Sequence, residues 1–233
     1  MDIQRDHRVN GIAYAMTTAG AIVATVQGLH TLEYLCRPLM MVILSSWFFF
    51  NSRRYGDRFT LLIQAGLFFS LVGDVALMFQ HMDEFNFLIG LGAFLIAHLC
   101  YCMAFLYNIT EVGGTDGMFV NFLIGVLLAV VAVLFSWELV PRMDDGMSLP
   151  VLSFIVTVTC VGVLAGFRYM RTFPRSFWMV LGGALLLAVS DGLLTTTRFI
   201  SPLSWGSAAV LLTYALAQPM IAAGALIHVL DPD

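Results

Sequence analysis

Two aspartates lie inside otherwise apolar stretches of the chain. Asp74 ends the segment Ser70-Leu-Val-Gly-Asp and Asp191 ends Leu187-Ala-Val-Ser-Asp, so a small residue directly precedes each acid. A carboxyl group at the middle of a membrane-spanning helix costs at least about 2.5 kcal/mol, and such groups usually face a polar cavity and have a function. Two carboxyls kept in different protonation states can donate a proton and stabilise a positive charge. The pair therefore predicts one shared polar site for acid–base chemistry.

The composition places this site in a membrane. Hydrophobic residues make up 60% of the chain and charged residues only 11%, whereas soluble domains carry about 25% charge. Mean hydropathy is +0.89. Apolar runs of about 20 residues, the length that crosses a bilayer as a helix, recur along the chain. These features predict an all-α, polytopic membrane helix bundle in a single domain, residues 1–233, with no basic block that would bind nucleic acid.

Eight apolar segments, separated by short polar turns, predict about eight transmembrane helices. No connection is long enough to hold a soluble domain, so any chemistry must occur within the bundle or at its rim. Pro38, Pro150 and Pro174 are expected at or just before helix starts, where proline is tolerated. The predicted helices cover residues 11–29, 33–50, 59–80, 86–108, 117–139, 149–169, 177–197 and 204–229.

The arginines predict the orientation of these helices. With a cytoplasmic N-terminus, eight arginines fall on the inner side, and only Arg37, Arg142 and Arg198 fall in outer loops. Positive residues are enriched on the cytoplasmic side of membrane proteins. The pattern therefore predicts cytoplasmic termini. Short loops and the absence of targeting tails are typical of a protein of the bacterial inner membrane.

The second half of the chain partly echoes the first. Asp74 and Asp191 are 117 residues apart (191 − 74), and each lies about 15 residues after the predicted start of its helix. Tyr101 and Gln218 are separated by the same interval. The echo predicts a parallel duplication of a four-helix unit. The predicted halves are residues 11–108 and 117–229.

Further polar side chains follow the two acids in the fourth and eighth spans. His98 and Tyr101 are three residues apart, and Tyr214 and Gln218 are four apart, so each pair shares a helix face. With the aspartates they could converge on one cavity between the third, fourth, seventh and eighth spans. A single polar residue of this kind is often only a hydrogen bond between helices. A purely structural role is less favoured for all six polar residues together, the two aspartates and these four side chains.

Pro219 marks an irregularity close to this site. Because proline has no backbone N–H, the carbonyl of Ala215 loses its partner four residues later. Freed backbone groups of this kind are tolerated in membrane helices where a neighbouring group satisfies them. The last helix is therefore expected to be locally irregular next to Gln218.

Other catalytic signals are absent. His98 and two aspartates could supply three zinc ligands, but their spacing gives no support for a metal site, and we predict neither a metal nor a cofactor. The sequence contains no H-E-x-x-H, G-x-S-x-G, P-loop or dinucleotide-binding motif. Four cysteines lie mostly in apolar segments without a C-x-x-C pair and are interpreted as packing residues.

Five short motifs occur in order from the second predicted helix to the last. They are Leu-Cys-Arg-Pro-Leu at 35–39, Gly-Asp at 73–74, Gly-Leu-Gly-Ala-Phe-Leu-Ile-Ala-His-Leu-Cys-Tyr at 90–101, Ser-Asp at 190–191 and Thr-Tyr-Ala-Leu-Ala-Gln at 213–218. Together they resemble the YhhN-like lysoplasmalogenases. That family usually has lysine where this chain has Arg37, which keeps the charge but offers a planar fork. The resemblance implies an eight-span enzyme that hydrolyses the vinyl ether bond of lysoplasmalogens to a fatty aldehyde and glycerophosphoethanolamine or glycerophosphocholine.

The implied reaction suits the predicted site. A vinyl ether is cleaved by protonation of its β-carbon, which gives an oxocarbenium ion that water captures. We predict that one of Asp74 and Asp191 is the acid and that the other stabilises the cation and activates water; the sequence does not choose between them. Arg37 is expected to bind the substrate phosphate. The residues expected to orient the carboxyls, water and glycerol oxygens are His98, Tyr101, Tyr214 and Gln218.

A second class of function fits the same residues. Acids inside a membrane, together with internal repeats, are also typical of proton-coupled carriers, here of a small amphiphile. Few glycine or proline breaks and short loops leave little material for two alternating gates, and a purely structural role is the weakest alternative. A hydrolase releases aldehyde in detergent without a sealed membrane, whereas a carrier does not.

Overall fold

The computed structural model describes residues 5–53, 56–113, 117–143 and 145–230. These residues form eight α-helices and no strand, and all eight helices are long and apolar enough to span a membrane. The predicted all-α membrane bundle of eight helices is thus confirmed, while the division into two repeated halves stays a prediction. The helices are α1 (His7–Gln27), α2 (His30–Ser52), α3 (Arg58–Met78), α4 (Glu84–Val112), α5 (Met118–Leu139), α6 (Asp145–Phe167), α7 (Pro174–Phe199) and α8 (Gly206–Leu230).

Capping groups set several helix ends that the apolar pattern missed. The Asp6 side chain accepts hydrogen bonds from two backbone N–H groups of the first turn of α1, so this helix begins at His7 rather than at residue 11. Gly28 ends the same helix with a positive φ of 68°, a conformation that suits glycine. Pro174 occupies the first position of α7, as predicted.

Two prolines and one arginine lie elsewhere than predicted. Pro38 lies inside α2 and Pro150 lies inside α6, because both helices begin several residues before their prolines. Arg37 is consequently a residue of α2 and not of an outer loop. Arg37 still lies near the end of the bundle where α2 begins, so its side of the membrane in the predicted topology does not change. The cytoplasmic position of the termini stays a prediction.

The helices that carry the polar residues form the centre of the bundle. The closest packing is between α3 and α4 and between α7 and α8. Helix α4 also packs on α6, α1 packs on α2, and α8 closes the bundle against α1, α2 and α3. Helix α5 packs mainly against α6, and only Asn121 and Leu139 of α5 are buried. The acids of α3 and α7 therefore lie in the core, whereas most of α5 faces outward with apolar side chains.

A buried arginine joins four helices near the end of the bundle where α4, α6 and α8 end. Arg168 follows α6 directly and is fully buried. Its guanidinium donates hydrogen bonds to Asn108 in α4 at 2.9 Å and to Ser176 in α7 at 3.0 Å. Ser176 in turn donates to the carbonyl of Gly224 in α8 at 2.7 Å. This network fixes the helices at the end opposite to the one where α3 and α7 end.

Glycines let the central helices approach closely. A methyl group added at Gly66 of α3 would overlap the ring of Tyr101 in α4, and one added at Gly73 would lie 2.8 Å from the Phe94 ring. In the other close pair, a methyl group at Gly183 of α7 would lie 2.9 Å from a backbone carbonyl oxygen of α8. Small residues at helix contacts are typical of membrane bundles. Here they bring the Tyr101 side chain into the core.

Replacing Gly66 with alanine should therefore lower the thermal unfolding midpoint of the protein in detergent. Tyr101 is fully buried, so the added methyl group forces a shift of packed side chains, which costs about 1–3 kcal/mol. The matched control is Gly92→Ala in α4, where an added methyl group meets nothing within 4 Å. Alanine is the better helix former, so this control should be neutral or slightly stabilising. Equal midpoints for the two variants would contradict the packing role of Gly66.

Candidate active site

Asp74 lies at the centre of a first polar cluster and is only 1% exposed. Tyr214 of α8 donates a hydrogen bond to its Oδ2 atom at 2.8 Å. The Nε atom of Arg37 in α2 lies 3.4 Å from Oδ1, close enough for an ion pair but outside hydrogen-bond geometry. The carboxyl group of α3 is thus held by one cation and one neutral donor, each from a different helix.

Arg37 connects Asp74 to a cleft at the end of the bundle. Its Nη1 atom lies 3.7 Å from Oε1 of Glu33, one helical turn earlier in α2. Both side chains line a cleft of about 430 Å³, which we term the polar cleft. It lies where α2 and α8 begin and where α3 and α7 end. Its other polar lining includes His30, Tyr34, Gln80, His81, Thr197 and Arg198.

Asp191 forms a separate pair with His98. The Oδ2 atom of Asp191 in α7 lies 3.2 Å from Nε2 of His98 in α4, and both side chains are buried. Neither atom has a partner with hydrogen-bond geometry among the residues described. The neighbouring Ser190 donates to the carbonyl of Val210 at 3.0 Å, which fastens α7 to α8 beside the acid. Apart from this contact with His98, no described residue donates a hydrogen bond to Oδ2 of Asp191.

Asp191 also lines a second cleft, of about 340 Å³, between α5, α6 and α7. We term it the apolar cleft. Within the described parts of the chain, Asp191 is the only ionisable residue of its lining. Its apolar walls include Leu128, Phe135, Phe154, Val158, Leu185 and Ala188. The shape and polarity suit a hydrocarbon chain whose polar end meets the carboxyl group.

Tyr101 and Gln218 form a third cluster. The Tyr101 hydroxyl donates to Oε1 of Gln218 at 2.7 Å, and Nε2 of Gln218 donates to Oγ of Ser70 at 3.2 Å. Ser70 lies one turn before Asp74 in α3, and Gln218 lies one turn after Tyr214 in α8. The three side chains are buried. They join α3, α4 and α8 one turn farther from the polar cleft.

The two acids share one region of the core but not one cavity. The ring of Tyr214, which bonds Asp74, contacts edge to face the ring of Phe94, one turn before His98 in α4, with 5.9 Å between the ring centroids. The polar and apolar clefts lie on different sides of α7, because the consecutive residues Leu194 and Thr195 line different clefts. Instead of the single predicted cavity, Asp191 lines the apolar cleft, and Asp74 lies behind Arg37 at the polar cleft on the other side of α7.

Sequence reasoning missed two residues beside these clusters. Glu33 precedes Arg37 by four residues, and helical spacing alone could have indicated the pair. Tyr14 of α1 donates a hydrogen bond to the carbonyl of Ala215 at 2.8 Å. This is the carbonyl that Pro219 was predicted to free. Nothing local in the sequence links Tyr14 to a residue 201 positions away.

Potential metal ligands do not cluster in the described residues. No group of three or more histidine, cysteine, aspartate or glutamate side chains adopts a metal-binding arrangement there. His98 and Asp191 form a pair, while Asp74 faces Arg37. These side chains can themselves transfer protons and stabilise charge.

Comparison with known proteins agrees with the motifs. The model of the YhhN family matches residues 32–225, from the first turn of α2 to α8. The chain belongs to the YhhN family. The resemblance predicted from the five motifs is thereby confirmed. The family match includes both aspartates and every other predicted site residue, but not α1.

The chain is also similar to curated relatives. It is 27% identical to "Lysoplasmalogenase TMEM86A" of Bos taurus over 198 residues, which covers 82% of this chain and 76% of that protein. It is 26% identical to "Lysoplasmalogenase TMEM86B" of Rattus norvegicus over 194 residues, 82% of this chain and 71% of that protein. The human TMEM86A protein of the same name is 28% identical over 167 residues, 70% and 65% of the two chains. No solved structure matches the chain.

Replacing Arg37 with methionine should destabilise the folded protein. The change leaves the buried carboxyl of Asp74 without its cation, and removal of one partner of such a pair is costly. The double variant Arg37→Met/Asp74→Asn should recover part of the loss, because the buried carboxylate at position 74 is no longer left unpaired; an interaction of about 1–3 kcal/mol is expected. Arg37→Lys, which keeps the charge, is the conservative control. Thermal unfolding in detergent measures the stability of the native protein, the two single variants and the double variant. Strictly additive effects of the two substitutions would refute the proposed pairing.

Proposed function

We propose that this protein is a lysoplasmalogenase, a multi-pass membrane enzyme that hydrolyses the vinyl ether bond of lysoplasmalogens. The products are a fatty aldehyde and glycerophosphoethanolamine or glycerophosphocholine. Membership of the YhhN family and the names of the relatives support this proposal. The observation that carries it is the position of Asp191, the single ionisable group of the apolar cleft among the residues described.

The two clefts match the two halves of such a substrate. A lysoplasmalogen has a long hydrocarbon chain at one end, a charged headgroup at the other and the reactive bond between them. The chain occupies the apolar cleft, and the headgroup occupies the polar cleft on the other side of α7. Binding of both ends at once requires the vinyl ether to pass beside α7 close to Asp191.

The polar cleft offers both signs of charge. Arg37 binds the phosphate through its planar fork, and Arg198 at the same cleft adds a second positive charge. The carboxylate of Glu33 binds the positively charged ammonium group of the headgroup. A headgroup with one negative and one positive charge leaves the net charge of the cleft unchanged, whereas an anionic headgroup adds a negative charge next to Glu33 and Asp74.

Asp191 is assigned the role of the acid. Its side chain lines the apolar cleft and is paired only with His98 among the described residues, whereas the Asp74 carboxyl group already faces Arg37 and Tyr214 and does not line that cleft. The Asp191 proton forms the new C–H bond at the β-carbon, and a lone pair of the ether oxygen stabilises the resulting cation. Proton transfer by a positioned side chain typically accelerates a reaction by about 10²–10⁴-fold.

The remaining steps return the proton and release the products. Water adds to the oxocarbenium carbon, and its proton passes to the pair formed by Asp191 and His98. The C–O bond to glycerol then breaks, and the hydroxyl proton of the hemiacetal passes through the Asp191–His98 pair to the departing glycerol oxygen, which yields aldehyde and alcohol. The carboxylate of Asp74 offsets the positive charge of the intermediate. No cofactor takes part in this sequence of steps.

The other predicted residues are assigned supporting roles. Tyr214 holds Asp74 by a direct hydrogen bond. Tyr101 and Gln218 bond to each other and are fully buried, and neither lines the polar or the apolar cleft. We therefore propose that Tyr101 and Gln218 orient the catalytic groups without touching the substrate.

The setting of the enzyme follows from the same topology. The helices are those of a multi-pass membrane protein. With cytoplasmic termini, as the arginines favour, the ends of α3 and α7 lie at the outer face. The polar cleft then opens toward the outer leaflet of the membrane, which we propose is a bacterial inner membrane.

Replacing either acid with asparagine should abolish most aldehyde release. Purified Asp191→Asn and Asp74→Asn proteins in detergent are expected to lose at least about 10²-fold in kcat on lysoplasmalogen, because they lose the proton donor or the stabilising charge. Asp6→Asn is the matched control, since asparagine caps a helix as well as aspartate does. An ester-linked lysophospholipid should release no aldehyde. Full turnover by either site variant would remove that acid from the mechanism.

Glu33→Gln tests the headgroup assignment. The substitution keeps the shape and removes the charge, so KM for ethanolamine lysoplasmalogen should rise by about tenfold, the usual worth of a charge-assisted hydrogen bond at a partly exposed site. KM for an alkenyl lysophospholipid with an uncharged glycerol on its phosphate should change little. Steady-state aldehyde assays on both lipids measure how much KM rises for each of them. Equal increases in KM would show that Glu33 acts through Arg37 alone.

A further inference from the structure

The α8 helix contains a break in its hydrogen bonding that a distant helix repairs. Pro219 has no N–H to donate to the carbonyl of Ala215, which is buried. The hydroxyl of Tyr14 in α1 donates to that carbonyl at 2.8 Å. A buried carbonyl without a donor is costly, so the Tyr14 hydroxyl takes over the role of the missing N–H group.

This repair lies within the turn that carries the site. Tyr214 directly precedes Ala215 and donates its hydrogen bond to Asp74. Gln218 directly precedes Pro219 and accepts the hydrogen bond of Tyr101. Residues 214–219 therefore contain the break in the helix, the carbonyl that Tyr14 satisfies, and the hydrogen bonds of Tyr214 and Gln218 to the polar clusters.

The packing between α1 and α8 around this hydrogen bond is loose. Tyr14 and Pro219 both line a small cleft of about 120 Å³ between α1, α2 and α8. Only Ala21 and Ala24 of α1 are fully enclosed among the described residues of that helix. The hydrogen bond from Tyr14 is thus a specific attachment of α1 to the irregular turn of α8.

We propose that Tyr14 is a positioning residue of the active site, which rests on the function proposed above. Its hydroxyl fixes the conformation of α8 at Pro219, so that Tyr214 keeps its hydrogen bond to Asp74 and Gln218 keeps its bond to Tyr101. Helix α1 lies outside the stretch that matches the family model. A residue of a helix outside this stretch therefore positions the catalytic groups.

The experiment compares Tyr14→Phe in three backgrounds, with all rates normalised to folded protein from size-exclusion chromatography. In the otherwise native chain, Tyr14→Phe should lower kcat for lysoplasmalogen by about tenfold, because displaced catalytic groups lose rate steeply. KM should change by less than about twofold, because Tyr14 does not line the polar or the apolar cleft. Tyr107→Phe, a partly buried tyrosine of α4, is the control and should leave kcat unchanged.

Two backgrounds should weaken or remove the effect. Pro219→Ala restores an N–H group that can bond the Ala215 carbonyl within α8, so the Tyr14 hydroxyl becomes redundant, and adding Tyr14→Phe should lower the remaining kcat by less than about twofold. In Tyr214→Phe the hydrogen bond to Asp74 is already lost, and only the bond between Gln218 and Tyr101 is left for Tyr14 to preserve. There the loss caused by Tyr14→Phe should be clearly smaller than tenfold, since the two changes act partly through the same turn.

The outcomes separate the alternatives. A tenfold loss that persists in both backgrounds, or full kcat in Tyr14→Phe alone, would overturn the positioning role. If Pro219→Ala has no activity, the thermal midpoint decides for that background: Tyr14→Phe should lower the midpoint of the protein that retains Pro219 and leave that of the Pro219→Ala protein unchanged. If the native protein releases no aldehyde, the proposed function fails, and the midpoints still report on the hydrogen bond.

Discussion

The contact between Asp74, Arg37 and Tyr214 is the interaction on which the rest of the site depends. A carboxyl group inside a membrane bundle is tolerated only where charge or hydrogen bonds compensate it. Asp74 receives a cation from α2 and a hydroxyl from α8. Small residues bring the neighbouring helices together at this level, as Gly73 does beneath the Phe94 ring of α4, which in turn contacts Tyr214. The close packing of the helices and the compensation of the buried charge therefore depend on each other.

The separation of the two acids gives the site its polarity. Asp74 lies behind a cleft rich in charged side chains, whereas Asp191 faces a cleft with apolar walls. Helix α7 divides the two, so a molecule that fills both must be amphiphilic and must present its middle to the acids. A lysophospholipid with an alkenyl chain has this form. The relation between fold and substrate thus rests on which face of α7 each side chain occupies.

Much of the fold could be predicted because membrane helices are encoded locally. Apolar runs of about 20 residues sufficed to predict eight helices, since an isolated segment must satisfy its own backbone in lipid. Boundaries were less predictable where polar residues take part in a helix. Asp6 caps α1 and extends it over polar residues, and α2 begins at His30, three residues before its predicted start at residue 33. Caps act through single side chains that hydropathy does not reveal.

The sequence by itself determined the class of protein, the family and the identities of the polar residues, because composition and helical period depend only on neighbours along the chain. Only the tertiary structure decided which residues meet. It pairs Tyr101 with Gln218 across 117 residues and Tyr14 with Ala215 across 201. It also places Asp191 at the apolar cleft and Asp74 behind Arg37, away from that cleft. Contacts of this kind depend on how helices rotate and pack against one another, and that information lies in the whole bundle rather than in any one segment.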